Sequence, residues 1–139
     1  MNEDVLIIYC DGGARGNPGP GASGVVVVNG MGETRMEIGK FLGVATNNAA
    51  EYAAVISALK WVLEEKVKAQ KIIFKLDSLL VVKQLLGEYR VKDTRLKLLF
   101  SEIKNLEKKM TQKFKYVYIP RNENWRADKV VNQTLDCQH

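Results

Sequence analysis

Histidine is nearly absent from this chain, whose one copy is the last residue, His139. A histidine-based catalytic triad or a histidine zinc site is therefore not expected. Cysteine is scarce too. Cys10 and Cys137 are too few for a disulfide framework and form no Cys-x-x-Cys pair, and the sequence leaves open whether they meet. Long apolar runs are missing: stretches such as 25–28 fall far short of the ~20 residues a membrane span needs. The start, Met1-Asn2-Glu3-Asp4, is acidic and lacks the basic opening and cleavage site of a secretory signal. A cytoplasmic location without a membrane partner is expected. No phosphate-cradling glycine loop or nucleophile elbow is present, so a small-molecule enzyme of those kinds is disfavoured. Any chemistry must run on carboxylates, hydroxyls, amides or basic groups.

What is there is ordinary globular material, 46% apolar and 27% charged over 139 residues. That length suits one domain, 1–139, and leaves no room for a second large catalytic one. The chain holds 21 basic and 16 acidic residues, a net charge of +5. Residues 83–115 alone contain ten Lys or Arg against four Asp or Glu, so the whole excess sits there. A localised basic stripe suits a polyanion such as nucleic acid, and a solvated lysine-rich helix face is the other reading.

Hydrophobic patterning predicts a first strand over 5–10 that runs into a turn at Asp11-Gly12-Gly13. A Pro/Gly cluster at 17–21 reads as turn, 25–28 as a second strand and 34–42 as a third. A helix over 48–65 follows, then a fourth strand over 71–76 and a short helix over 77–86. An amphipathic helix over 94–110, a fifth strand over 114–119 and a last helix over 124–135 complete the chain. Three consecutive strands followed by alternating helices and strands predict an α/β fold. The expected form is a five-stranded mixed sheet, antiparallel then parallel, with helices on both faces.

Four acids fall at predicted element ends: Asp11 after the first strand, Asp77 after the fourth, Glu51 early in the first helix and Asp128 early in the last. Ligands collect at the carboxyl ends of strands in open α/β sheets. An oxygen-only acidic cluster there suits hard divalent cations such as Mg²⁺. Each acid also has a structural role open to it. Asp77 could cap the helix at Ser78, Glu51 could close a capping box with Asn48, Asp11 suits a turn, and Asp128 could pair with a base.

The residues around these acids carry a resemblance. Tyr9-Cys10-Asp11-Gly12-Gly13-Ala14-Arg15-Gly16-Asn17-Pro18-Gly19-Pro20-Gly21 resembles the opening motif of type 1 ribonuclease H. Thr46-Asn47-Asn48-Ala49-Ala50-Glu51-Tyr52 and Asp77-Ser78-Leu79-Leu80-Val81-Val82 are similar to its next two. Gly87-Glu88-Tyr89-Arg90-Val91-Lys92 resembles a loop of the short members. Pro120-Arg121-Asn122-Glu123-Asn124-Trp125-Arg126-Ala127-Asp128 resembles the C-terminal motif. The match runs in order from about 5 to 135.

The resemblance implies an endoribonuclease that cleaves the RNA strand of an RNA–DNA hybrid, leaving 3′-hydroxyl and 5′-phosphate ends. It implies that Asp11, Glu51, Asp77 and Asp128 hold two Mg²⁺, with Mn²⁺ as a substitute, and that Asp128 holds least firmly. Gly12 and Gly13 are expected to let main chain approach the RNA 2′-hydroxyls, and Glu51 to accept one. Thr46, Asn47 and Asn48 would grip a DNA-strand phosphate at a helix N-terminus, with N-capping as the parallel role, and Asn17 would add a hybrid contact. Three departures stand out. The loop histidine of many members is absent, and Arg121 is the nearest replacement, either a cation for phosphate charge or a plain surface arginine. The basic handle of the long members is missing, so Tyr89, Arg90, Lys92 and the lysines of the following helix would share DNA-strand binding. Leu79 replaces a polar substrate-touching residue. Trp61 and Trp125 are expected to pack, and Cys10 to be buried.

The same fold allows two other readings. A non-catalytic module binding hybrid or double-stranded RNA is disfavoured by the presence of all four acids. An integrase-like or junction-resolving nuclease is disfavoured by the Asp-Gly-Gly and Thr-Asn-Asn motifs. A monomer is expected.

Overall fold

The computed structural model describes residues 4–138, so the acidic start Met1–Glu3 and His139 lie outside the described residues. Five strands form one sheet in the order β3-β2-β1-β4-β5. These are β1 (Val5–Ala14), β2 (Gly19–Asn29), β3 (Thr34–Ala45), β4 (Lys71–Leu76) and β5 (Lys113–Tyr118). The first three pair antiparallel, while β1–β4 and β4–β5 pair parallel. Four helices accompany them: α1 (Asn47–Glu64), α2 (Leu79–Leu85), α3 (Thr94–Glu107) and α4 (Trp125–Asp136). The mixed-sheet expectation holds, antiparallel then parallel.

Strand alternation decides what each face buries. Leu6, Ile8 and Cys10 of β1 point inward with Ile72, Phe74 and Leu76 of β4, against Tyr52, Val55 and Leu59 of α1. Burying a side chain of that size stabilises by roughly 1.5–3 kcal/mol. Helices α2 and α3 join this side through Val81, Leu85, Leu96 and Ile103. Helix α4 lies on the opposite side, where Val130 meets Val26 and Val28, and Val131 and Leu135 meet Ala22.

Several boundaries differ from the sequence reading. Asp11-Gly12-Gly13 is strand, not turn: β1 pairs with β2 as far as Ala14↔Gly21. The reason is packing, because a Cβ at Gly12 would lie 2.1 Å from the Ala50 carbonyl carbon of α1. Strand β2 likewise starts at Gly19, inside the Pro/Gly cluster, and Gly24 lies under α4, with a built Cβ 2.6 Å from the Ala127 carbonyl oxygen. Glycine that reads as turn is here the surface on which helices rest. Helix α1 begins at Asn47, capped by Thr46, whose Oγ1 accepts from the Ala49 amide at 3.1 Å. The Asn48–Glu51 capping box therefore does not form. Ser78, not Asp77, caps α2, its Oγ accepting from the Val81 amide at 3.2 Å. Helix α3 stops at Glu107, and a short 3₁₀ turn, Arg121–Glu123, precedes α4. Cys10 is buried and Cys137 exposed, and both are free. Trp61 packs on the core as expected, but Trp125 is 56% exposed, with the Arg126 guanidinium 4.5 Å from its ring. Among the described residues no helix is long and apolar enough to cross a membrane.

Candidate active site

Two parallel strands and one helix converge on a single point. Strand β1 outruns β4, whose last partner on it is Tyr9↔Lys75, so Asp11 stands beyond the paired region and Asp77 follows β4 directly. Helix α1, resting on Gly12, presents Glu51 one turn into its length. One carboxylate oxygen from each of Asp11, Glu51 and Asp77 lies within 4.8 Å of the others. The two acids freed from capping are thus the ones that gather with Asp11.

That gathering is costly for the protein alone. Burial, then the Asp77 and Asp128 charges, raise Asp11 to about 7, while the Gly12 amide at 2.9 Å and the Arg121 charge pull the other way. Burial, then Asp11 and Asp77, push Glu51 to about 8, opposed by Ser78 and Arg121. Glu51 Oε2 is buried with no hydrogen-bond partner. A concentrated cation would relieve all three: it offers positive charge and takes up the orphaned oxygen. The all-oxygen donor set is the type that Mg²⁺ and Mn²⁺ accept. The residues fit a divalent metal site.

The other expected residues are distributed around this centre. Asp128, half-buried in the first turn of α4, stands outside the three-acid cluster but close enough to raise Asp11. Arg121, exposed on the 3₁₀ turn, is the cation whose field reaches both Asp11 and Glu51. Asn17 and Asn47 join the strand-connecting loop to α1. Asn17 Oδ1 accepts from the Asn47 amide at 3.0 Å, and Asn47 Oδ1 accepts from the Ala14 amide at 2.8 Å. Both side chains therefore present Nδ2 beside the α1 N-terminus that Thr46 caps and next to Asn48. Gly13 is half-buried there, and a Cβ on it would meet Asn47 Oδ1 at an ordinary 3.9 Å. Tyr89, Arg90 and Lys92 are exposed on the loop after α2, separate from the acids, where Lys83 lies 5.9 Å from the Tyr89 ring.

One contributor had no role in the sequence reading. Asn124 is fully buried, and its Nδ2 donates to the Cys10 carbonyl at 2.9 Å and to Asp77 Oδ2 at 3.0 Å. An asparagine just before a helix reads as an N-cap, yet its side chain makes no capping bond. The available signal was its place four residues before Asp128. The acids line none of the larger cavities described. One of about 660 Å³, bounded by Asp4, Leu6, Trp61 and Ala69, lies at the other end of β1.

The chain is similar to known proteins along nearly its whole length. A family model described as reverse transcriptase-like matches residues 9–134. The ribonuclease HI of Halobacterium salinarum is 39% identical over 92% of this chain and 63% of its own length. A bifunctional protein of Mycobacterium tuberculosis is 36% identical over 95% of this chain but only 36% of its own length. The chain thus spans about a third of the first curated relatives it matches. Among solved structures, LC11-RNase H1 in complex with an RNA/DNA hybrid is 41% identical, with a TM-score of 0.89 over 94% of this chain and 96% of that one. On sequence, fold and acid cluster together, this chain belongs to the type 1 ribonuclease H family.

Proposed function

We propose that this chain, as one catalytic domain over 1–139 acting as a monomer, hydrolyses the RNA strand of RNA–DNA hybrids and leaves 3′-hydroxyl and 5′-phosphate ends. The observation that carries this is the Asp11–Glu51–Asp77 cluster, three carboxylates within 4.8 Å with a buried orphan oxygen. Asp11, Glu51, Asp77 and Asp128 would hold two Mg²⁺, or Mn²⁺. Bound there, such ions would supply activation of a water and stabilisation of charge on the departing 3′-oxygen.

The chain's own groups do the rest. Asn124 holds the Asp77 carboxylate in one orientation and ties it to β1. Arg121 brings positive charge to a scissile phosphate at the edge of the cluster. Thr46, Asn47, Asn48 and Asn17 offer amides and a helix N-terminus to a phosphate of the DNA strand. Main chain at Gly12 lies beside Glu51 and Gly13 follows it next to Asn47, and RNA 2′-hydroxyls would be read along this stretch. Tyr89, Arg90 and Lys92 extend the DNA-strand contact in place of a basic handle.

The test is a labelled RNA–DNA hybrid beside matched duplex RNA and duplex DNA, each with Mg²⁺ or with chelator. Metal-dependent cutting of the RNA in the hybrid alone is expected. Binding without cutting in either Mg²⁺ or Mn²⁺ would overturn the catalytic reading in favour of a hybrid-binding module.

A further inference from the structure

The sheet is covered unevenly. Helices α1, α2 and α3 bury one face, whereas α4 on the other packs against β1, β2 and β3. On that second face β4, β5 and the near side of β1 carry three register-matched rungs. They read Val5–Lys71–Lys113, Ile7–Ile73–Lys115 and Tyr9–Lys75–Val117. Neighbouring strands lie about 4.8 Å apart and successive rungs about 6.5 Å apart. Lys71, Lys113 and Lys115 are exposed, while Ile7, Ile73, Lys75 and Val117 are half-buried. The result is an apolar strip bordered by lysines.

No Asp or Glu stands on any rung, and among the described residues no ion pair involves these four lysines or Arg126. Glu37 of β3 is the acid that shares a small cleft with Trp125, Arg126 and Lys129 at the border. Four lysines, Arg126 and Lys129 therefore lie on one side, where the acids near them are Glu37, Asp4 at the Val5–Lys71 end, whose carbonyl accepts from the Lys71 amide, and the carboxylate cluster beyond the Tyr9–Lys75 end.

Aromatic rings connect this face to the carboxylates. Arg126 lies 4.5 Å from the Trp125 ring and 4.9 Å from the Tyr9 ring, and Lys75 lies 5.6 Å from Tyr9. Tyr9 precedes Asp11 by two residues, Lys75 precedes Asp77 by two, and Trp125 follows Asn124. The alternating cations and rings thus start at the mouth of the acid cluster and lead onto the lysine-bordered strip.

We propose that this open β1–β4–β5 face is a second nucleic-acid surface, which holds single-stranded nucleic acid. The charge complementarity is to a phosphate backbone. The exposed indole of Trp125 is a stacking platform, which only unpaired bases can use, and a sheet face with aromatic residues suits splayed single strands. Such binding is independent of hybrid cleavage.

The experiment uses the full chain in chelator, so that no metal chemistry intervenes. Labelled 12-nucleotide oligo-U and oligo-dT are titrated by fluorescence anisotropy between about 50 and about 200 mM salt. Both are expected to bind wild type. The triple variant K71Q/K113Q/K115Q should bind about fivefold or more weakly at low salt, with a log–log salt slope flatter by about 2, the value for three lost single-strand phosphate contacts. The triple variant K40Q/K60Q/K66Q, exposed on β3, on α1 and in the turn after α1, should bind like wild type. In a Trp61→Phe background, the remaining Trp125 fluorescence should be quenched by either oligonucleotide. Equal losses in the two triple variants, an unchanged slope in the first, or unquenched Trp125 would each overturn the proposal. So would blunt duplex DNA competing as well as unlabelled single strand.

Discussion

Asn124 Nδ2 donates to Asp77 Oδ2 at 3.0 Å, and the same nitrogen donates to the Cys10 carbonyl at 2.9 Å. One buried amide thereby fixes an acid that follows β4 to the strand that carries Asp11, from the residue that opens α4. Its Oδ1 has no partner, so turning the amide over would set an oxygen against two acceptors. The carboxylate geometry is therefore held by a neutral group.

Asn124→Asp keeps the shape but replaces the donor with a second negative charge beside Asp77. Orienting partners of this kind are typically worth about 10–100-fold in metal affinity or activity. The variant should lose activity in kcat with KM for hybrid little changed, and should need more Mg²⁺. Asn124→Ala should also be less stable by about 1–3 kcal/mol, since the Cys10 carbonyl is left buried and unpaired. Kinetics at several Mg²⁺ concentrations decide the point. Wild-type kcat and Mg²⁺ dependence in both variants would remove Asn124 from the site.

Neighbouring glycines in β1 should behave in opposite ways. Gly12→Ala forces a methyl into the α1 backbone at 2.1 Å, and backbone cannot move aside as a side chain does. A loss of at least about 1–3 kcal/mol is expected in chemical denaturation, with α1 and Glu51 displaced. Gly13→Ala meets nothing closer than 3.9 Å and should unfold near the wild-type midpoint. Equal midpoints for the two variants would show that α1 does not depend on this contact.

The same glycine explains where sequence reading stopped. Strand and helix periodicity was enough to place all five strands, the sheet class and the four acids at element ends. It failed at Asp11-Gly12-Gly13 and at Gly19, because glycine signals turn by its local freedom while its use here is set by a helix distant in sequence. Capping was legible only as open alternatives for a related reason, with the Thr46 cap borne out and the Asp77 cap and the Asn48–Glu51 box not formed. Thr46 and Asn48, or Asp77 and Ser78, are equivalent cap candidates in sequence, and backbone geometry chooses between them. Trp125 looked like core by residue type, but it starts a helix at the sheet's border and stays exposed. Asn124 was hidden because both its partners lie far away along the chain.

The four acids should not be equivalent. Asp77→Asn is expected to abolish hybrid cleavage in Mg²⁺ while hybrid binding survives, since the phosphate-facing amides near Thr46 are untouched. Asp128, outside the three-acid cluster, should give the mildest loss when changed to Asn. Cleavage and binding assays on all four neutral variants test the order. Full activity of Asp77→Asn with Mg²⁺ would refute the site, and an Asp128 variant weaker than the others would reverse the ranking.

The raised acids also make the metal-free protein sensitive to pH in a defined direction. Asp11 titrates at about 7 and Glu51 at about 8 in the folded chain, whereas unfolded carboxyls titrate near ~4. Between those limits the native state binds protons that the unfolded state has released, so stability falls as pH rises from about 4 to about 8. Asp11→Asn removes one such group and one repulsive charge beside Glu51. In chelator the variant should therefore melt above wild type at pH 8, with the gap shrinking towards pH 5. Excess Mg²⁺ at pH 8 should raise the wild-type midpoint more than the variant's, because metal relieves the same repulsion that the substitution removes. A gap independent of pH in chelator would mean that these carboxyls are not strained in the free protein, and the electrostatic case for a metal at this site would go with it.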